Sequence, residues 1–301
     1  MGDQGSTQAV TGSGGGSQQQ FEGRMRIELK DIGIPPRPAI LDEIDREMAR
    51  DAPDFSRLAR LIGSDVALAA GLIKTTNSPY YGLGKKVRTV QEALLLLGLK
   101  SIVRTIAGLS LQGMFKDTPR LERFWDVSAK TACLAGWLAH KLRSEVGLRP
   151  EDAYTFGLFR DCGIPLLMIP FPEYEAILKA ANADQAKGFT EVEDQLLSIN
   201  HAVVGAELAE GWLLPGEVAQ AIQHHHDPIA LEAGGLDERP ARMVALGQLA
   251  EHILFQGTGR GKTAEWAKLG SACLAVLGID EAAADALAAE AVAESAWEAD
   301  R

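Results

Sequence analysis

The residues best suited to chemistry are an arginine–aspartate pair and a small set of histidines. Arg160-Asp161 lies inside Gly157-Leu158-Phe159-Arg160-Asp161-Cys162-Gly163, a charged pair within an apolar helical stretch. His201 follows, and His224-His225-His226 stand consecutively before Asp227-Pro228. Imidazole and carboxylate are the donors of a transition-metal site or of acid–base catalysis. The arginine works against a metal, because a guanidinium keeps its charge and has no lone pair to give. Geometry adds a second restraint. Consecutive helical residues point about 100° apart, so one ion cannot take all three imidazoles from one helix face. Three readings stay open for the histidines: structural hydrogen-bonded imidazoles, a remnant metal or ligand site built from Asp161, His201 and His225, or a pH-responsive cluster. Two stay open for the pair. Arg160 neutralises acidic groups, including one on a neighbouring helix, or it meets a ligand phosphate. His140 and His252 occupy helical positions.

Other motifs carry less. Ser78, in Asn77-Ser78-Pro79-Tyr80-Tyr81-Gly82, has no base to activate it, and the cluster reads as a helix stop. Gly12-Ser13-Gly14-Gly15-Gly16 has no preceding strand and no Gly-Lys-Ser/Thr directly after it. Gly257-Thr258-Gly259-Arg260-Gly261-Lys262-Thr263 has its first glycine one residue too close and follows a helix, so it reads as an interhelical loop. Cys133, Cys162 and Cys273 form no Cys-x-x-Cys pair and read as reduced, buried thiols.

The elements that must position these residues are helical almost throughout. Asp54 and Asp65 stand where each can cap a helix. Thr89 with Glu92, and Thr190 with Glu193, have the spacing of capping boxes. Pro38, Pro150 and Pro215 sit where helices can begin. Long helices are expected from about 121 to 142, after Pro150 through Arg160-Asp161, over 242–255, over 264–277 and over 280–297. The last carries Leu287, Val292 and Trp297 as docking residues, onto the body or onto a second copy. No run alternates with the period of a strand, so the fold class is all-α, about a dozen helices in two packed halves. Residues 1–24, rich in Gly, Ser, Gln and Thr, read as a disordered tail. The main domain spans 25–255 and divides near 118 into 25–118 and 119–255. Residues 256–301 supply further helices that pack on the body.

The chain has 301 residues and a formal net charge of −11. That balance argues against general binding to nucleic acid or to anionic membrane. No apolar run is read as reaching the ~18 residues of a membrane span. The N-terminus lacks the basic and apolar regions of a signal peptide. A cytoplasmic protein is expected.

Several segments taken together resemble the HD-related output domain (HDOD) family, over about residues 30–255. They are Ile34-Pro35-Pro36-Arg37-Pro38; Asp65 to Ala70 leading to Asn77 through Gly82; Val90-Gln91-Glu92-Ala93-Leu94 with Leu97-Gly98; Trp125-Asp126-Val127-Ser128; Gly157 through Gly163; and His201 with Gly205, Trp212 through Pro215, and Ala221 through His225. The order and spacing carry the resemblance rather than any one motif. It implies an all-α bacterial protein, related in structure to metal-dependent HD phosphohydrolases and acting in signalling without hydrolysis.

The superfamily's metal pattern is a first His, a His-Asp doublet and a later Asp. The resemblance sets Val127 at the first position, Arg160-Asp161 at the doublet and Gln248 at the last. Only Asp161 survives as a charged donor, so neither metal nor cofactor is expected. The leading expectation is a non-catalytic regulatory module. It would act on a signalling partner in trans or on a small anionic ligand, with a homodimer left open. The ligand-binding candidates are Arg160, Asp161, His201 and His225. Two alternatives stand beside it: a metal-dependent phosphohydrolase or phosphodiesterase with a rearranged site, and a nucleotide sensor without turnover in which Arg160 contacts phosphate.

Overall fold

A computed structural model describes residues 28–78, 81, 86–115, 117–232, 235–259 and 263–297. The expected disordered tail, most of the Pro79–Gly82 segment and Arg260-Gly261-Lys262 lie outside them. Every regular element among the described residues is helical, as expected for an all-α chain.

The N-terminal part comprises α1 (Leu29–Ile32), α2 (Ala39–Met48), α3 (Phe55–Gly63), α4 (Val66–Thr76) and α5 (Val90–Met114). Asp54 accepts from the Arg57 amide, and Asp65 from those of Ala67 and Leu68, so both cap as their positions suggest. Thr89 accepts from the Glu92 amide, whereas the Glu92 carboxylate returns to Arg88 rather than to Thr89; the capping box is half formed. Beyond the stop at Asn77, the Asn77 amide brackets Val87 with two hydrogen bonds of 2.9 and 2.7 Å.

α5 corrects one expectation, since it is long and apolar enough to cross a membrane by length and composition. It breaks at Gly98, whose φ of 72° suits a residue without Cβ. Past the break, Ile102, Ile106 and Leu111 are fully buried in the protein core, so the apolar face has a protein partner. Leu95 and Leu96 are exposed.

The remaining elements are α6 (Glu122–Lys141), α7 (Arg143–Val146), α8 (Pro150–Phe159), α9 (Gly163–Met168), α10 (Tyr174–Ala183), α11 (Phe189–Leu197), α12 (His201–Gly211), α13 (Gly216–His224), α14 (Glu238–Gly257), α15 (Ala264–Leu277) and α16 (Glu281–Glu294). α6, α8 and α14 pack on one another, α12 packs on α9 and α13, and α15 and α16 lie against α14. Distant segments are tied by specific bonds. The Trp212 indole donates to the Pro35 carbonyl at 3.0 Å, and Arg37 donates to the Trp212 carbonyl at 3.0 Å. Arg104 of α5 pairs with buried Asp152 of α8. α16 stops at Glu294, short of the expected 297; Leu287 within it and Trp297 beyond it pack on the core, while Val292 is exposed. Glu294 accepts from the Trp137 indole at 2.9 Å and meets Lys141 at 2.9 Å. Cys133, Cys162 and Cys273 are free and buried.

Two local expectations are corrected. α8 ends at Phe159, so Arg160-Asp161 occupies the junction between α8 and α9 rather than a helix interior. α11 begins one residue before Thr190 and is preceded by Gly188, so Thr190 is not a cap. Glu193 is fully buried and turns to other partners.

Candidate functional site

Asp161 comes from the α8–α9 junction, His201 is the first residue of α12, and His225 and His226 follow the last residue of α13. Asn200 fixes the start of α12 by accepting from the Val203 amide at 3.0 Å. α9 approaches α12 so closely that a Cβ on Gly163 would fall 2.0 Å from the His201 carbonyl oxygen. Only glycine permits that approach, and the approach sets Asp161 beside His201.

The end of α13 resolves the problem of three consecutive histidines. His224 is partly exposed and faces Asp227, whereas His225 and His226 both turn inward and are buried. They can do so because the chain leaves the helix at this point, so the 100° rule no longer separates them. Asp161, His201, His225 and His226 each present one donor atom, and these atoms lie within 4.8 Å of one another. The structure therefore joins the candidate residues Asp161, His201 and His225 and adds His226.

Each imidazole is oriented from behind. His201 Nδ1 donates to Glu193 Oε2 at 2.7 Å, and the other Glu193 oxygen accepts from the Tyr174 hydroxyl. His225 Nδ1 donates to the Ile222 carbonyl at 2.7 Å. Their Nε2 atoms face each other at 3.3 Å and face Asp161 Oδ1 at 3.5 and 3.3 Å. Phe189 stacks on His226 at 4.7 Å and meets His201 edge-on. His226 Nδ1 is buried without a hydrogen-bond partner, 3.4 Å from Glu265, whose own facing oxygen also lacks one.

Burial and charge set the protonation states. Burial opposes a charge on His201, but Glu193 and Asp161 outweigh it and lift the imidazole to about 10. Burial would raise Asp161, yet Arg160 and the two imidazoles hold it well below the usual carboxylate range. Burial lowers His225 despite Asp161, and lowers His226 further, with His225 and His201 adding to the effect. Burial likewise pushes the Glu265 carboxyl up.

Arg160 is engaged by three neighbours. Its Nε donates to Asp161 Oδ2 at 2.9 Å, Nη2 meets Glu251 at 2.8 Å, and Nη1 donates to the Gly247 carbonyl at 3.3 Å. Glu251, on α14, is the acidic group on a neighbouring helix. Gln248, one turn earlier on α14, donates from Nε2 to the His225 carbonyl at 2.9 Å. Val127 is partly buried on α6 and lines a cavity of about 640 Å³ shared with Arg160, Asp161, His226 and Glu251.

These residues do not fit the metal set of an HD phosphohydrolase. Val127 has no donor, Arg160 sets a buried cation at the doublet, and Gln248 is engaged in holding a backbone carbonyl. Sequence reasoning missed Glu193, Glu251, Tyr174 and His226 as members of the site. A signal existed for Glu251, three residues beyond Gln248 and so on the same helix face. Glu193 was masked by its resemblance to a cap. Of the remaining histidines, His140 is exposed, and His252 stacks on Trp266 at 4.3 Å.

The helical topology and this remodelled histidine–aspartate centre define an all-α domain of HD-like fold. The chain belongs to the HDOD family, whose domain model matches residues 34–228. An HDOD domain protein of unknown function from Geobacter sulfurreducens shares the fold with a TM-score of 0.63 at 22% identity, covering 91% of this chain and 97% of that one. A Shewanella amazonensis protein provisionally described as a phosphohydrolase matches with a TM-score of 0.62 at 20% identity, over 89% and 94% of the two chains. A Marinobacter aquaeolei protein provisionally described as acting in signal transduction matches with a TM-score of 0.58 at 24% identity, over 92% and 63%. An uncharacterised protein of Treponema pallidum is 27% identical over 195 residues, 64% of this chain and 38% of that protein. The match thus spans under two-fifths of that relative's length.

Proposed function

We propose that this chain is a non-catalytic signalling module of the bacterial cytoplasm that acts in trans on a partner protein or through a small ligand. The observation that carries the reading is Arg160. In the superfamily pattern this position supplies an imidazole to a metal; here it supplies a buried guanidinium engaged by Asp161, Glu251 and the Gly247 carbonyl. A fixed cation at that point repels a divalent ion and offers it no lone pair. The two carboxylates already engaging Arg160 also support neutralisation over phosphate binding, since a phosphate would have to compete with them.

A ligand-binding variant of this reading rests on the cavity, whose wall includes Arg120, Arg123 and Lys268 beside Glu175 and Glu251. The mixed charges suit a ligand with both anionic and cationic or hydrogen-bonding groups. The test is an assay of purified protein against phosphomonoesters, phosphodiesters, nucleotides and cyclic dinucleotides with added Mn²⁺ or Fe²⁺. The expected result is no turnover, together with a specific partner retained in a pull-down. Turnover that disappears in Asp161→Ala would replace this reading with a hydrolase.

A further inference from the structure

We infer that the cavity beside the histidine–aspartate centre takes a small zwitterion of the amino-acid or short-peptide class. Its ammonium would lie at the inner wall against Glu265, and its carboxylate at the rim against Arg120 and Arg123. The inference rests on the ligand-binding form of the reading above and names the ligand's chemistry.

The cavity measures about 640 Å³, within the ~300–1,000 Å³ of small-molecule sites. Its charges are ordered from inside to outside. The inner wall carries three acids, Asp161, Glu251 and Glu265, against Arg160 and Lys268. All five side chains are withdrawn from solvent, at most 19% exposed. The rim reverses the sign, where Arg120 and Arg123 are exposed beside Glu175. Both arginines flank the start of α6, whose dipole adds positive character there. A molecule with a positive head and a negative tail matches this order, whereas a simple anion or cation meets repulsion at one end.

Within the inner wall most partners are already allotted. Arg160 is engaged by Asp161 and Glu251. Lys268 Nζ donates to the Lys187 carbonyl at 2.7 Å and stays 3.9 Å from Glu265. Glu265 Oε1 faces His226 Nδ1 at 3.4 Å, and neither atom has a hydrogen-bond partner. Glu265 is 7% exposed and His226 6%, so both unmet atoms are costly. An ionised carboxylate only accepts, and an imidazole nitrogen without its proton accepts as well. An ammonium carries three N–H donors and no acceptor, so it serves both atoms and brings no new need of its own.

The body of the ligand would meet Phe124, Val127, Ile164, Leu178 and Phe255. These apolar walls favour aliphatic side chains over a polar chain. Glu265 and Lys268 belong to α15, beyond residues 34–228 of the HDOD match, so the chain's C-terminal helices supply this end of the cavity.

The competing account is internal. A proton shared by Glu265 and His226 after a small turn of either side chain would satisfy both without a ligand.

The experiment is calorimetric titration of the full chain with leucine and leucyl-leucine. Two blocked forms stand beside them: N-acetyl-leucyl-leucine, without the ammonium, and leucyl-leucinamide, without the carboxylate. The expected result is one free dipeptide per chain, with acetylation weakening binding by about 10–100-fold, the loss that follows one charge-assisted hydrogen bond. Glu265→Gln weakens the free dipeptide to a similar degree and no longer distinguishes it from the acetylated form. Arg123→Ala, on the exposed rim, weakens the free acid but not the amide, and keeps the test decisive should Glu265→Gln fail to fold. Folded parent chain that binds neither free probe at millimolar concentration overturns the inference, as does an acetylated dipeptide that binds as tightly as the free one. Binding untouched by both substitutions places the dipeptide elsewhere and overturns it equally. Loss of this site leaves the non-catalytic reading and its protein partner standing, whereas phosphoester turnover refutes that reading while the calorimetric binding stands.

Discussion

Glu193 and Asp161 hold His201 from opposite sides, with Nδ1 at 2.7 Å from one carboxylate and Nε2 at 3.5 Å from the other. The two acids arrive from separate elements, Glu193 from α11 and Asp161 from the junction of α8 and α9. The imidazole therefore joins two parts of the domain that no local sequence rule connects.

Removing Glu193 should be costly. Glu193→Ala leaves His201 Nδ1 and the Tyr174 hydroxyl without partners in a fully buried setting. Breaking a buried charged pair by deleting one member costs about 3–5 kcal/mol. Tyr174→Phe removes a single hydrogen bond and should cost about 1 kcal/mol. Urea denaturation of the two single variants and the double variant checks this. Losses that simply add would contradict a shared network.

Arg160 serves stability on the same grounds. Arg160→Ala strands Asp161 and Glu251, whose side chains are 19% and 16% exposed, and should cost about 3–5 kcal/mol. Arg160→His restores the doublet's imidazole, yet Val127 and Gln248 still withhold the other donors. No hydrolysis should appear in that variant with Mn²⁺ or Fe²⁺. Phosphodiester turnover above the enzyme-free rate would contradict the regulatory reading.

Gly163→Ala should strain the seam between α9 and α12. The new Cβ would lie 2.0 Å from the His201 carbonyl oxygen and 2.9 Å from the Gly205 amide nitrogen, both backbone atoms. Overpacking of this kind costs about 1–3 kcal/mol. A thermal melt unchanged from the parent would show that the two helices can separate freely.

The N-terminal half carries its own pH dependence. Glu47 accepts from the Asp54 amide at 3.0 Å and from Arg50 at 3.2 Å. The Asp54 amide first, then the nearby arginines, hold its carboxyl below the usual value of 4.5. A depressed folded value means a contribution that is present above about pH 4.5 and lost as pH falls through the folded value. Glu47→Gln should flatten stability against pH in that acidic window. An unchanged slope between the two proteins would contradict the assignment.

Much of this architecture is local and was legible in the residues. Asp54 and Asp65 cap where their spacing says, Pro150 opens α8, and α16 follows Asp280, because a cap and its helix lie within a few residues of one another. Side-chain chemistry alone says that Val127 and Arg160 offer no metal donor, and Gln248 a weak one, at the positions the family resemblance assigns to ligands. Three points needed the folded chain. Thr190 and Glu193 matched a capping box, yet α11 starts earlier and burial turns Glu193 toward His201. The histidine triplet read as three directions on one helix, but α13 ends at His224 and frees His225 and His226 to turn inward. Glu251 and Arg160 are far apart in the chain and meet only where α14 packs against α8. Helix formation and capping follow short-range rules that the residue order carries. The convergence of Asp161, His201, His225 and His226 depends on where helices end and how closely they approach, and those are set by long-range packing.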